Sequence, residues 1–420
     1  MRDNIRGRIE LIRMGKMPRK YMRTSIGVIP NDWKEICMNQ CVTIASGLVD
    51  PRKNPYINMK HIGPENIEKD TGEIIDIHTA SEQGLISGKY VFDNNSIIYS
   101  KVRPKLNKIC MPDFSGICSA DCYVLHVKDN IKKRYLYHYM MSDYFLKQVL
   151  ACSMRTKMPK INQAELKAIK IFVPETEEQC KIMQLLDGYN KYINLLGKQI
   201  DEKKKQKRWL MEFLLTKKVK SLKLLGCRIK IRIGEFINEV SEKTNINNKY
   251  DVFSVTKTGI YLQKEQFNKK IASEDNTGYK VVRKGNLVFS TMNLWMGSLD
   301  VLEKYDIGIV SPAYKVFEFK KDKMLPEFGK YFMKSSYMIW LYNVNSEQGA
   351  SVVRRNLDIN SLMNTEVIIP DIAEQIKISK VLKCADKEID LLNKKLLLVK
   401  KEKQAMMQLL LTGIVRVNEE

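Results

Sequence analysis

The stretch Thr176–Thr216, TEEQCKIMQLLDGYNKYINLLGKQIDEKKKQKRWLMEFLLT, decides how the rest of the chain is read, because it occurs twice. Ile372–Thr412, IAEQIKISKVLKCADKEIDLLNKKLLLVKKEKQAMMQLLLT, lies on it without a gap at an offset of 196 residues, the distance from Glu178 to Glu374. Pro174 falls on Pro370, Gln179 on Gln375, Ile193 on Ile389, and Leu214-Leu215-Thr216 on Leu410-Leu411-Thr412. Each copy follows a proline and contains none, so each predicts one long helix beginning just past that proline.

Alternating steps of four and three residues give the packing face. In the first copy they meet Ile182, Leu186, Tyr189, Ile193, Leu196, Ile200, Lys203, Lys207, Leu210 and Leu214. In the second they meet Ile378, Leu382, Ala385, Ile389, Leu392, Leu396, Val399, Lys403, Met406 and Leu410. A strict seven-residue repeat kept for four to five heptads is a coiled-coil seam, narrower than the stripe of a helix lying on a globular core. The simplest partner for one copy is the other. Lys207 and Lys403 share one seam position, either as register-setting polar residues or as lysines that snorkel off the seam.

With 420 residues the chain is too long for one ordinary core. Its 71 Lys+Arg against 48 Asp+Glu leave a net charge of +23, which suits a polyanion partner. No apolar run has the length of a membrane span, so no membrane partner is expected. Met1–Arg23 is basic but carries Asp3 and Glu10, which fits a short helix or arm over residues 1–20 rather than a targeting segment. Nine cysteines without framework spacing read as thiols of a reducing cytoplasm, and the expected location is cytoplasmic. Cys118, Cys122 and His126 alternate as one face of an expected strand, Ile117–Val127, and no metal is expected on them or on Cys37 and Cys41.

Between the helices lie two globular segments with a shared framework. Ser96–Ser100 parallels Asn286–Ser290, Gly116–Ser119 parallels Gly308–Ser311, and Tyr139–Met141 parallels Tyr331–Met333. In the first, Val91–Val102 reads as a strand and Tyr135–Leu150 as a helix. The order is therefore globule, long helix, globule, long helix, one duplicated unit. The expected domains are residues 21–173, helix 174–218, 219–369 and helix 370–416.

The motifs of catalysis are missing. There is no phosphate-cradling or dinucleotide-binding glycine loop, and the four histidines have no ligand spacing. Asp371 and Glu374 open the second long helix, where capping and the helix dipole explain them. No catalytic residue is assigned. The candidate DNA-binding residues are basic, amide or aromatic side chains beside strand ends and loops. They are Lys101, Arg103, Lys105, Arg155, Lys157 and Lys160 in the first globule, and Lys257, Asn293, Trp295, Arg354 and Arg355 in the second. Arginine and asparagine match guanine and adenine edges, while lysine mostly holds phosphates.

This pattern resembles the specificity (S) subunit of type I restriction–modification enzymes. The residues that carry the resemblance are Ile29-Pro30-Asn31-Asp32-Trp33, Tyr279–Val288, Asn293–Ser298 and the two Pro-x3-Glu-Gln-x2-Ile helices ending Leu-Leu-Thr. Lys217 departs from it, standing where the second copy has Gly413. The resemblance implies an α/β (α+β) fold: two similar target recognition domains separated by two long antiparallel coiled-coil helices, an internal duplication with pseudo-two-fold symmetry. It implies a non-catalytic subunit that reads a bipartite site in double-stranded DNA and docks two methyltransferase subunits and restriction subunits. S-adenosylmethionine, ATP and magnesium then belong to those partners, with no cofactor in this chain. The rival readings are a self-sufficient methyltransferase or nuclease fusion and a coiled-coil interaction scaffold.

Overall fold

The computed structural model describes residues 2–153, 159–215, 228–266, 275–351 and 354–417. The chain divides into two compact units, Met1–Gly197 with Lys395–Glu420, and Lys198–Lys394. Each unit holds one globule and a stretch of both long helices.

In unit 1 the longer helices include α1 (Arg2–Arg13), α2 (Lys133–Met140), α3 (Asp143–Ser153) and the first part of α4 (Thr176–Leu215). Its main sheet contains β1 (Val42–Ile44), β2 (Ser96–Ser100), β3 (Ile109–Cys110) and β4 (Cys122–Val127) in the order β1-β4-β2-β3, antiparallel throughout. Unit 2 repeats it with β5 (Ile237–Glu239), β6 (Leu287–Ser290), β7 (Leu299–Val301) and β8 (Tyr314–Phe319), ordered β5-β8-β6-β7. Its longer helices include α5 (Pro326–Phe332), α6 (Ser336–Val344) and the first part of α7 (Ile372–Leu410). The duplication thus extends to strand order, a non-local property.

Three expected elements are broken in two. Val91–Val102 is Tyr90–Phe92 and β2, interrupted at Asp93, whose carboxylate accepts from Ser96 Oγ at 2.6 Å and from the Asn95 amide at 3.1 Å. This Asx-type turn competes with the ladder. Ile117–Val127 is Gly116–Cys118 and β4, so Cys118 and Cys122 belong to different strands rather than to one strand face. Tyr135–Leu150 is α2 and α3, split where Ser142 Oγ donates to the Tyr139 carbonyl at 2.6 Å.

Both units pack an antiparallel stretch of α4 and α7 against their globule. In unit 1, Ile182 and Leu186 from early α4 share one core with Met407, Leu410 and Leu411 from the end of α7, together with Trp33, Tyr135 and Phe172. In unit 2, Leu215 from the end of α4 joins Ile378 and Leu382 from early α7, with Phe236, Phe328 and Tyr342. Fully burying one such leucine contributes roughly 1.5–3 kcal/mol. Every seam position is buried or half-buried: Ile182, Leu186, Leu196, Ile200, Ile378, Leu382 and Ile389 are buried, and Ile193, Leu210, Leu392, Leu396 and Met406 are half-buried. Their neighbours Leu195 and Leu391 face solvent.

The seam lysine of unit 2 is held by an ion pair. Lys207 pairs with Asp386, and the Tyr331 hydroxyl donates to the other oxygen of that carboxylate at 2.8 Å. In unit 1, burial pushes the Lys403 ammonium below its ordinary range, with Asp187 pulling the other way. Asp187 also accepts from His138 Nε2 at 3.0 Å and pairs with Arg134 at 3.2 Å.

Candidate nucleic-acid interface

In both units the loop that leaves the central strand is seated on the second helix of the helical pair. After β2, Pro104–Leu106 forms a single 3-10 turn against α3. After β6, Leu294–Met296 forms its counterpart against α6. The first loop has Arg103 and Asn107 in the left-handed region, at φ 49° and 43°. The second closes on Gly297 at φ 82°, a conformation glycine adopts without the Cβ penalty.

The segment after the helical pair returns to the same loop. In unit 1 the Arg103 amide donates to the Pro159 carbonyl at 3.0 Å and the Ile161 amide to the Lys101 carbonyl at 3.1 Å. This strip holds Lys101, Arg103, Lys105 and Lys160 together. Lys101 Nζ stands 5.5 Å from the Tyr123 ring centroid, Lys160 lies 3.7 Å from Asp121, and Arg103 and Lys105 are exposed. Lys108 is spent on the fold, donating to the Pro64 carbonyl at 2.5 Å. Arg155 and Lys157 lie outside the described residues.

Unit 2 builds a different surface on the same frame. The hairpin after α6 brings the Arg355 guanidinium 4.8 Å from the centre of the Trp295 ring, and one arm of the guanidinium donates to Asn343 Oδ1. Asn293 shapes the loop, its carbonyl accepting from the amides of Met296 at 3.1 Å and Ser298 at 3.3 Å. The backbone of Arg354 lies in the same hairpin. Lys257 is exposed in the turn joining the strands Phe253–Thr256 and Gly259–Leu262, and no described contact joins it to Trp295 or Arg355. The cationic strip of unit 1 is suited to phosphates, and the arginine–indole platform of unit 2 to a flat or apolar group.

The thiols of Cys118 and Cys122 are buried. Burial pushes Cys118 up to about 12 and Cys122 well above the ordinary thiol range. Among the described residues no group of three or more His, Cys, Asp or Glu side chains is placed to hold a metal ion. Asp371 caps α7, its carboxylate accepting from the Glu374 amide at 2.8 Å.

Sequence reasoning missed the Arg416 cluster of unit 1, where Arg416 meets Glu178 and Asp32. A single arginine in a short tail carries no periodic signal. The clue available was Glu178, an acidic residue set among the buried positions of α4.

Comparison with known proteins agrees with this architecture. Residues 30–206 match the family described as the type I restriction modification DNA specificity domain. Over those residues the chain is similar to type I restriction–modification specificity subunits. The "Type I restriction enzyme EcoDI specificity subunit" of Escherichia coli is 33% identical over 183 residues, 44% of this chain and 40% of that relative. The "Putative type I restriction enzyme MjaX specificity subunit" of Methanocaldococcus jannaschii is 25% identical over 94% of this chain and 97% of its own length. A chain from a structure described as "Structural basis underlying complex assembly and conformational transition of the type I R-M system" superposes with a TM-score of 0.62 at 17% identity. That superposition covers 92% of this chain and 99% of the other. It supports the fold, mixed helix and sheet with two long helices.

Proposed function

We propose that this chain is the DNA-reading subunit of a type I restriction–modification complex, each globule reading one half of a bipartite target. The observation that carries the reading is the repeated placement of the loop after β2 or β6 beside the segment after α3 or α6. It offers Lys101, Arg103, Lys105 and Lys160 in one unit and Asn293, Trp295 and Arg355 in the other. The same frame bearing different side chains is what two independent half-site readers require. In this reading the helices set the spacing of the half-sites and dock two methyltransferase subunits, with restriction subunits beyond them. The chain itself is non-catalytic; S-adenosylmethionine, ATP and magnesium act in the partners, and the complex works on chromosomal DNA in the cytoplasm.

Exchanging residues 228–370 for the corresponding segment of another specificity subunit tests this reading. The recognised sequence, read from methylation in a host carrying the complete complex, should change in one half and stay intact in the other. A change in both halves, or in neither, overturns it.

A further inference from the structure

Unit 2 contains a cleft of about 620 Å³ whose lining includes Arg208, Trp295, Ile339, Trp340 and Arg355. Two N–H donors in that lining, Trp295 Nε1 and Arg355 Nε, are buried and have no acceptor among the described residues. Buried donors in native proteins are nearly always satisfied by protein, water or ligand, and neither of these two is satisfied by a described residue. The local charge says which kind of acceptor suits them. Lys334 is taken by Asp300 at 2.8 Å, and Glu212, the one carboxylate among the described lining residues, accepts from Ser336 Oγ at 2.7 Å. Arg208 and the rest of the Arg355 guanidinium leave a positive field, which favours an anion.

The cleft also offers a flat apolar face. Trp340 is 58% exposed and is stacked on Tyr337, with centroids 6.3 Å apart and planes 22° apart. The matching positions of unit 1 carry lysines instead. Buried Phe145 and Val149 on α3 match buried Met338 and Tyr342 on α6, which puts Lys147 at the place of Trp340. Likewise Lys105 occupies the place of Trp295 in the 3-10 turn. One copy of the frame is therefore cationic there and the other holds a concave aromatic pocket. A base stacked inside a duplex cannot enter a cleft of this kind, whereas an unstacked one can.

We infer that this cleft binds a nucleotide held out of the base stack, with its phosphate ester on Trp295 Nε1–H and Arg355 Nε–H and its base flat on Trp340. The inference rests on the DNA-reading function for the source of the nucleotide; a free nucleotide carries the same chemistry.

The full chain is titrated with oligothymidylate, with thymidine monophosphate and with inorganic phosphate while tryptophan fluorescence is followed. Duplex DNA binding is measured in parallel by mobility shift. Oligothymidylate should quench the fluorescence and bind more tightly than the mononucleotide, and inorganic phosphate should compete. Trp340→Ala, exposed enough to keep the fold, should weaken oligothymidylate binding about tenfold or more, and Arg355→Gln should weaken both nucleotide probes. Duplex binding without quenching by either nucleotide probe overturns the inference and leaves the DNA reading intact. Mononucleotide binding at least as tight as oligothymidylate overturns the DNA source, and quenching without any duplex shift overturns the DNA reading itself. Unchanged affinity in Trp340→Ala, or no competition by phosphate, overturns the assigned geometry.

Discussion

Arg416 closes on Glu178 with two hydrogen bonds, Nε to Oε1 at 2.7 Å and Nη2 to Oε2 at 2.9 Å. Glu178 is buried at the start of α4 and also accepts from Trp33 Nε1 at 2.9 Å, while Arg416 reaches on to Asp32 at 2.6 Å. Arg416→Ala removes the cation and leaves a carboxylate buried without its main counter-charge. We expect a loss of about 3 kcal/mol, read as a lower urea midpoint for unit 1. Adding Glu178→Gln should recover part of that loss, because the stranded charge is then gone.

Acid should weaken unit 1 through His138. Burial holds this imidazole below its ordinary pKa of 6.5; hydrogen bonding and charge from Asp187 oppose that shift, and Lys403 and Arg134 add to it. The unfolded chain therefore takes up the proton first, so stability present above about 6.5 is lost as pH falls through that value. Burial also lowers His61, which acts with the same sign. Melting temperature should drop between pH 7 and 5.5, and His138→Gln should make that slope shallower. An unchanged slope would remove His138 from the account.

The seam separates two leucine-like positions that composition alone cannot. Ile389 is 9% exposed and Leu391 is 65% exposed, two residues apart on α7. Ile389→Asp should cost several kcal/mol by burying an unpaired charge, on the order of 3, whereas Leu391→Asp should stay within about 1 kcal/mol. Denaturant midpoints of the two variants check this directly.

Salt dependence probes the strip of unit 1. Every phosphate that the protein ceases to neutralise should lower the slope of log affinity against log salt by about 0.9. Arg103→Ala and Lys105→Ala should each weaken duplex binding evenly across sequences and flatten that slope. A variant that binds as tightly and with the wild-type slope would place its residue off the DNA.

The long helices were legible because a heptad repeat is local and survives in a single chain of letters. Even there, solvent exposure of Leu195 beside buried Leu196 follows only from the seven-residue count. The globules were legible in outline, as paired strand motifs 190 or so residues apart. Their turns were not: Asp93 and Ser142 interrupt runs that hydropathy joins, through hydrogen bonds of single side chains. The strand order β1-β4-β2-β3 depends on pairings such as Leu125 with Ile97 and with Ile44, which no window of sequence contains. In the candidate interface, naming Trp295 and Arg355 was within reach of residue chemistry. Their contact, sixty positions apart, was a product of the fold. Lys257 had equal chemical credentials and lies in a separate turn.

The tail beyond α7 returns to the beginning of the chain. The Tyr21 hydroxyl donates to the Gly413 carbonyl at 2.7 Å, and Arg8 Nη1 to the Ile414 carbonyl at 3.0 Å. A Cβ at Gly413, which has φ +67°, would stand 2.5 Å from Pro30 Cγ, so the backbone itself fills that joint. Residues 8 and 414 are thus neighbours in space within unit 1. The packing of unit 1 is completed by the residues that follow α7, and a truncation before Gly413 should loosen α1 and the Tyr21 strand as well as the tail.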